Sequence, residues 1–138
     1  MSDIQNPSLP KDKIKILLLE GISDSAVNSL ADAGYENIER LTSALDGAAL
    51  TEKLEDVRIL GIRSRTQVTT EILNATTRLI AVGCFSVGTN QIDLKAAQRR
   101  GVPVFNAPFS NTRSVAELTI AEVVMLFRRT FPRSVAAH

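Results

Sequence analysis

Five short segments rich in Val, Ile and Leu begin near Lys15, Glu36, Val57, Leu79 and Val102. They recur at a spacing of roughly 20 residues, with segments of helical periodicity between them. This alternation constrains the fold more than any other feature of the chain. Strands joined through helices lie parallel in one sheet and are connected by right-handed crossovers. Residues 15–19 and 79–82 are mostly apolar rather than alternating, the pattern of strands covered on both faces. The most polar segment, 37–41, is assigned to an edge. The expected fold is a flavodoxin-like, doubly wound α/β domain with a five-stranded parallel sheet.

The intervening helices have readable ends. Ser23 or Asp24 is placed to cap the first, with Ala26, Val27 and Leu30 on one face and Gly34 as its stop. Asp46 is placed to cap a second, in which Leu50 and Leu54 stand one turn apart. Thr69 is placed to cap a short third carrying Ile72 and Leu73, and Asp93 opens a fourth with Leu94 and Ala97 inward and Gly101 as terminator. Beyond the fifth strand, Ser114 and Glu117 have the spacing of a capping box. The helix behind them is expected to run to about Arg128 and to be broken at Pro132. Its apolar residues (Val115, Leu118, Ile120, Val123, Val124, Leu126, Phe127) occupy most of the circumference, so cover from a second domain or subunit is expected.

Sixteen basic residues against fifteen acidic ones leave a formal charge of +1, without the concentrated basic surface that nucleic acid demands. Arg128, Arg129 and Arg133 form only a short cluster. The longest apolar stretch, 123–127, is far short of a membrane span, and the polar start with Pro7 and Pro10 lacks a signal-peptide core. A cytoplasmic protein is expected. One cysteine, Cys84, and one histidine, His138, make neither an internal disulfide nor a metal site of soft or imidazole ligands.

Ligands of open parallel sheets bind outside the carboxyl ends of the strands. The loops there begin at Glu20, Arg63, Gly83 and Asn106. Arg63 and Arg65, flanking Ser64, put two permanently charged forks within three residues. They suit a carboxylate or phosphate, or else simply solvate a strand end. Gly83 and Gly88 enclose small residues whose amides can point at an anion, or they make a tight turn. Thr89 and Asn90 stand where a P-loop needs Lys and Ser or Thr, which excludes nucleotide hydrolysis. Asn111 either donates to a ligand oxygen or caps the long helix. Cys84 has no base for a partner and reads as a buried structural thiol. Glu20, at the margin, is the one general-base candidate. With so many donors and hardly any acids, the expected ligand is a small, multiply charged anion. No G-x-G-x-x-G run occurs in the chain, so a dinucleotide site of its own is not expected.

Three strings are more specific: LGIRSRT at 60–66, AVGCFSVGTNQID at 81–93 and GVPVFNAPFSNTRSVAE at 101–117. They resemble the D-isomer specific 2-hydroxyacid dehydrogenases, in particular their phosphoglycerate-oxidising branch, and the likeness runs from about Lys11 to His138. The resemblance implies an NAD-dependent oxidation of 3-phosphoglycerate in serine biosynthesis, by a homo-oligomer. It implies a split substrate-binding domain whose first part is 12–110, after a flexible leader over 1–11. The segment 111–138 would be an interdomain and dimerisation helix, self-associating through 114–131. A Rossmann domain with the NAD fingerprint, a regulatory domain and the catalytic Arg, Glu and His would all lie beyond His138, leaving this chain inactive by itself.

For the site, the resemblance implies that Arg63, Ser64 and Arg65 face the charged groups of a small anionic 2-hydroxy or 2-oxo acid. Ser86, Val87 and Gly88 would offer backbone contacts to its carboxylate, with Val87 near the nicotinamide, and Asn111 would complete the pocket. Some relatives have an Arg where Cys84 stands, so the anion would lean more on Arg63 and Arg65. A glyoxylate or hydroxypyruvate reductase of the same superfamily is the alternative enzyme. A flavodoxin-like interaction module is the alternative from another class; a signalling receiver would need an Asp where Arg63 ends the third strand.

Overall fold

The computed structural model describes residues 9–137. One compact unit reaches to Pro108 and a second begins at Phe109. Residues 1–8 of the expected leader, and His138, lie outside the described residues. Lys11, the last leader residue, opens a 3-10 turn (Lys11–Lys13). Its ammonium donates to Ala33 O at 2.7 Å and lies 5.5 Å from the centre of the Tyr35 ring.

The first unit alternates strand and helix throughout: β1 (Ile16–Leu18), α1 (Asp24–Asp32), β2 (Ile38–Arg40), α2 (Gly47–Lys53), β3 (Ile59–Ile62), α3 (Thr70–Ala75), β4 (Ala81–Cys84), α4 (Leu94–Arg99) and β5 (Val104–Asn106). All pairings are parallel, in the order β2-β1-β3-β4-β5. The polar strand β2 is at an edge, as its sequence predicts. Because side chains alternate along a strand, the sheet has two separately packed faces. Leu17, Leu60 and Val82 pack with Leu50 of α2, Leu54 just after it, Ile72 and Leu73 of α3, and Ala96 and Ala97 of α4. Ile16 and Leu18 pack on the opposite face with Ala26, Val27 and Leu30 of α1. Each fully buried Leu removed from water contributes roughly 2 kcal/mol before the cost of ordering it.

The caps divide into two kinds. Thr69 and Asp93 accept bonds from Ile72 N and Ala96 N, as their spacing predicts. Ser23 and Asp46 hold the N-cap positions of α1 and α2 without a capping side-chain bond; the Ser23 hydroxyl pairs with that of Ser25 at 2.7 Å. Gly34 and Gly101 end α1 and α4 with φ of 90° and 67°, a conformation that disfavours any Cβ. Leu94, expected inward, is 47% exposed because it opens the first turn of α4; Ala96 and Ala97 face the core. A single parallel bridge, Val68 to Ile92, ties the segments preceding α3 and α4 to each other.

The second unit is two helices, α5 (Thr112–Phe127) and α6 (Thr130–Ala137), neither with a buried residue. Helix α5 starts earlier than the Ser114 and Glu117 spacing suggests: Asn111 is its N-cap. The capping box is therefore not formed, and Glu117 takes a bond from Arg113 Nε at 2.7 Å one turn away. Nor does Pro132 break the helix. The break is at Arg129, whose φ is 52°, and Pro132 sits in the first turn of α6, where its missing N–H has no helical acceptor to lose. Helix α6 itself is not foreseen by the sequence. Among the described residues no helix is long and apolar enough to cross a membrane.

At the centre of the sheet, Gly61 pairs with Leu18 on one side and Gly83 on the other. A Cβ on Gly61 would lie 2.5 Å from Leu18 Cδ2 and 3.2 Å from both Ile22 Cδ1 and Phe85 Cε2. Gly61→Ala is expected to destabilise the fold by about 1–3 kcal/mol through overpacking. A lowered urea midpoint at unchanged slope is the reading to look for; an unshifted midpoint would show that the strand can give way.

Candidate functional site at the carboxyl rim of the sheet

Every strand delivers its following loop to the same rim, because the sheet is wholly parallel. The first loop begins with Glu20 and Gly21 in left-handed conformation, φ 61° and 63°. For glutamate this geometry costs on the order of 1 kcal/mol. Two backbone bonds to the neighbouring edge hold it, Glu20 N to Ser43 O and Gly21 N to Leu41 O, both at 3.0 Å. The reward is the placement of the carboxylate. Oε1 accepts from the amides of Arg63 (3.1 Å) and Thr66 (2.9 Å), and Oε2 from those of Ser64 and Arg65 (both 3.0 Å).

Glu20 is 5% exposed, and burial by itself would raise its pKa. The amides of Thr66, Arg65 and Arg63 outweigh burial, and the carboxyl is held down to about 2. A carboxylate bound so firmly is a poor general base near neutral pH. Its sequence assignment as a marginal base is thereby corrected: Glu20 is the structural anion of the 63–66 loop.

The amides of 63–65 are accordingly occupied, and what this loop turns outward is its side chains. Arg63, Ser64 and Arg65 are all exposed. Arg63 Nη1 reaches Glu20 O at 3.5 Å, and Arg65 Nε stands 3.8 Å from Glu20 Oε2. Arg63 lines a groove of about 300 Å³ with Gly21, Ile22, Ser23 and Phe85. Phe85 also borders a second hollow of about 210 Å³, lined by Gly83, Cys84, Phe105, Asn106 and Ala107. The rim is thus a shallow surface with room for a molecule of a few heavy atoms.

In the 84–91 loop the carbonyls are tied inward. Ser86 O accepts from Ala107 N at 3.1 Å, and Val87 O accepts from Asn106 Nδ2 at 2.7 Å. A trans peptide points its N–H opposite its carbonyl. The N–H groups of Val87 and Gly88 therefore face away from those partners, and neither donates to another described residue. Val87 is exposed beside them. Cys84 is buried, as read from the sequence, and its sulfur lies 3.0 Å from the Ser86 hydroxyl and 3.2 Å from Gly88 O. The remaining predicted residue, Asn111, stands at the head of α5 in the second unit, in the capping position but without a capping side-chain bond. Among the described residues no cluster of His, Cys, Asp or Glu could hold a metal ion.

The comparisons with known proteins agree with this fold. Residues 16–133 match the family described as D-isomer specific 2-hydroxyacid dehydrogenase, catalytic domain. The D-3-phosphoglycerate dehydrogenase of Escherichia coli (strain K12) is 54% identical over 131 residues, which is 95% of this chain and 32% of that protein. The chain thus spans about a third of the length of the curated relatives it matches. Among solved structures, D-lactate dehydrogenase from Aquifex aeolicus, complexed with NAD and lactic acid, superposes with a TM-score of 0.72 at 21% identity, covering 89% of this chain and 38% of that one. The NAD+-bound 3-phosphoglycerate dehydrogenase of Entamoeba histolytica does so with a TM-score of 0.68 at 23% identity, covering 86% and 41%. At these identities the two structures establish the shared fold.

Glu20→Gln replaces two acceptor oxygens with one acceptor and an NH2 that faces donor amides. A loss on the order of 2–4 kcal/mol is expected, read by urea unfolding. In the unfolded chain the carboxyl titrates near 4.5, against about 2 when folded. The ionised form therefore stabilises the fold above pH 4.5, and that contribution is lost as pH falls from there toward 2. Glu20→Gln should flatten this part of the stability profile; an identical acid limb in both proteins would refute the anchor.

Proposed function

The chain belongs to the D-isomer specific 2-hydroxyacid dehydrogenase family, and we propose that its rim holds 3-phosphoglycerate for oxidation to 3-phosphohydroxypyruvate by NAD, the entry to serine biosynthesis. The observation that carries this reading is the presence, on one rim, of two exposed guanidinium groups and two undonated amides. The 54% identity to a D-3-phosphoglycerate dehydrogenase, over 95% of the chain, supports the phosphorylated substrate.

In this reading the amides of Val87 and Gly88, with Ser86, take the substrate's carboxylate, and Arg63 and Arg65, with Ser64 between them, take the remaining negative charge. With the carboxylate on two amides and the other end on the arginines, the substrate is held at both ends, which limits rotation about C1–C2 and presents the C2 hydrogen to one side. Bound NAD would supply the hydride acceptor. The exposed isopropyl group of Val87 is compatible with an apolar nicotinamide ring nearby. The chain has no glycine-rich cradle for the pyrophosphate, so that part of the cofactor, and the base that takes the hydroxyl proton, are assigned to further parts of the longer protein. The segment 114–131 is proposed to be the surface of self-association, consistent with Leu118, Ile120 and Phe127 being 59%, 66% and 85% exposed.

A plain 2-hydroxy acid has one fewer anionic group for the arginines to meet. In the full-length protein, Arg65→Ala should cost roughly tenfold or more in kcat/KM for 3-phosphoglycerate, and less than about threefold for D-glycerate. Equal losses would favour a glyoxylate or hydroxypyruvate reductase instead. Light scattering on this chain should report a dimer or larger species, and a clean monomer would rule out self-association through the second unit.

A further inference from the structure

Gln91 is 4% exposed at the base of the rim, where an aliphatic side chain would fill the same space without the cost of burying an amide. Its Nε2 donates to Arg63 O in the 63–66 loop. The same nitrogen lies 2.8 Å from Cys84 Sγ and 3.3 Å from the Ser86 hydroxyl in its own loop. Ser86 Oγ in turn donates to Gly88 O at 2.9 Å. The backbone of Gln91 repeats the connection, its carbonyl accepting from Val68 N at 2.8 Å. One buried residue thus reaches both of the loops that present charge or amides to the rim.

We propose that Gln91 is a positioning residue, which sets the arginine-bearing loop at a fixed separation from the amides of 86–88. It rests on the reading that these two loops share one anionic substrate. Holding Arg63 O fixes the peptide plane whose N–H, that of Ser64, goes to Glu20. Holding Ser86 Oγ, and through it Gly88 O, fixes the far end of the amide-bearing turn. Without the amide group, Arg63 O keeps only the 3.7 Å contact from Cys84 Sγ, and the two loops are otherwise joined by backbone. The substrate's two ends then meet partners whose spacing fluctuates, so that binding suffers more than turnover of what is bound.

The test is Gln91→Met, which keeps length and removes both donors, made in the full-length protein. KM for 3-phosphoglycerate is expected to rise roughly tenfold or more while kcat stays within about threefold, a loss of the size one hydrogen bond to a carbonyl with its desolvation explains. Gln91→Asn, which returns an NH2 one methylene short, should recover part of it. Hydrogen exchange gives a readout that needs no substrate: the amides of 63–66 should exchange roughly tenfold faster in Gln91→Met. A KM within about twofold of the wild type, or a fall in kcat alone, as a smaller folded fraction would give, overturns the proposal. So do unchanged exchange rates. If the wild type oxidises no 2-hydroxy acid, the assignment of the rim fails instead, and exchange still decides whether Gln91 joins the loops. Should Gln91→Met not fold, Gln91→Asn carries the same measurements.

Discussion

One buried carboxylate organises the carboxyl rim of the sheet. Four consecutive amides, from Arg63 to Thr66, converge on the two oxygens of Glu20. An anion of the protein's own thus occupies the concavity of backbone donors that a strand-to-helix turn creates, which in other proteins receives a phosphate. The consequence for recognition is a division of labour. The loop after β3 meets the outside with side chains, and the loop after β4 meets it with backbone. Glu20 also stands 3.8 Å from Arg65 Nε, so part of that guanidinium's field is spent within the protein, and Arg63 faces the groove with less competition.

Much of this was legible in the sequence, for physical reasons. The period of apolar segments and the run of helix stops located the five strands, and 37–41 announced its edge position through its polarity, whereas 79–82, expected to be covered on both faces, leaves Ile80 47% exposed. Thr69 and Asp93 cap as their chemistry dictates. What could not be read was long-range pairing of polar atoms. Nothing local in Glu20-Gly21 says that the carboxylate will turn 43 residues ahead to Arg63 rather than out to solvent. The available hint was a lone acid after the first strand, opposite a loop with two arginines. Gln91 was invisible for the same reason: its partners, Arg63 O and Ser86 Oγ, are defined only once β3 and β4 are neighbours.

The errors at the far end have a local cause. Pro132 is a helix breaker only where an N–H is needed, and in the first turn none is. The interruption falls instead at Arg129, a residue that has no Cβ-free excuse for a left-handed φ and that no composition rule would single out. Likewise the Ser114 and Glu117 spacing is that of a capping box, but Asn111 begins the helix before it, and Glu117 finds Arg113.

The bridge between Val68 and Ile92 bears on how tightly the rim can hold a small molecule. Beyond the amide-bearing turn, Asp93 caps α4, takes a bond from Thr70 and, through its own N–H, donates to Val68 O at 3.0 Å. The turn is anchored by strand β4 before it and by this junction after it, so few dihedral angles remain to be frozen when a ligand arrives. Recognition by such a preorganised turn forfeits little conformational entropy, and even two amides and a pair of arginines can then suffice for a metabolite of a few heavy atoms.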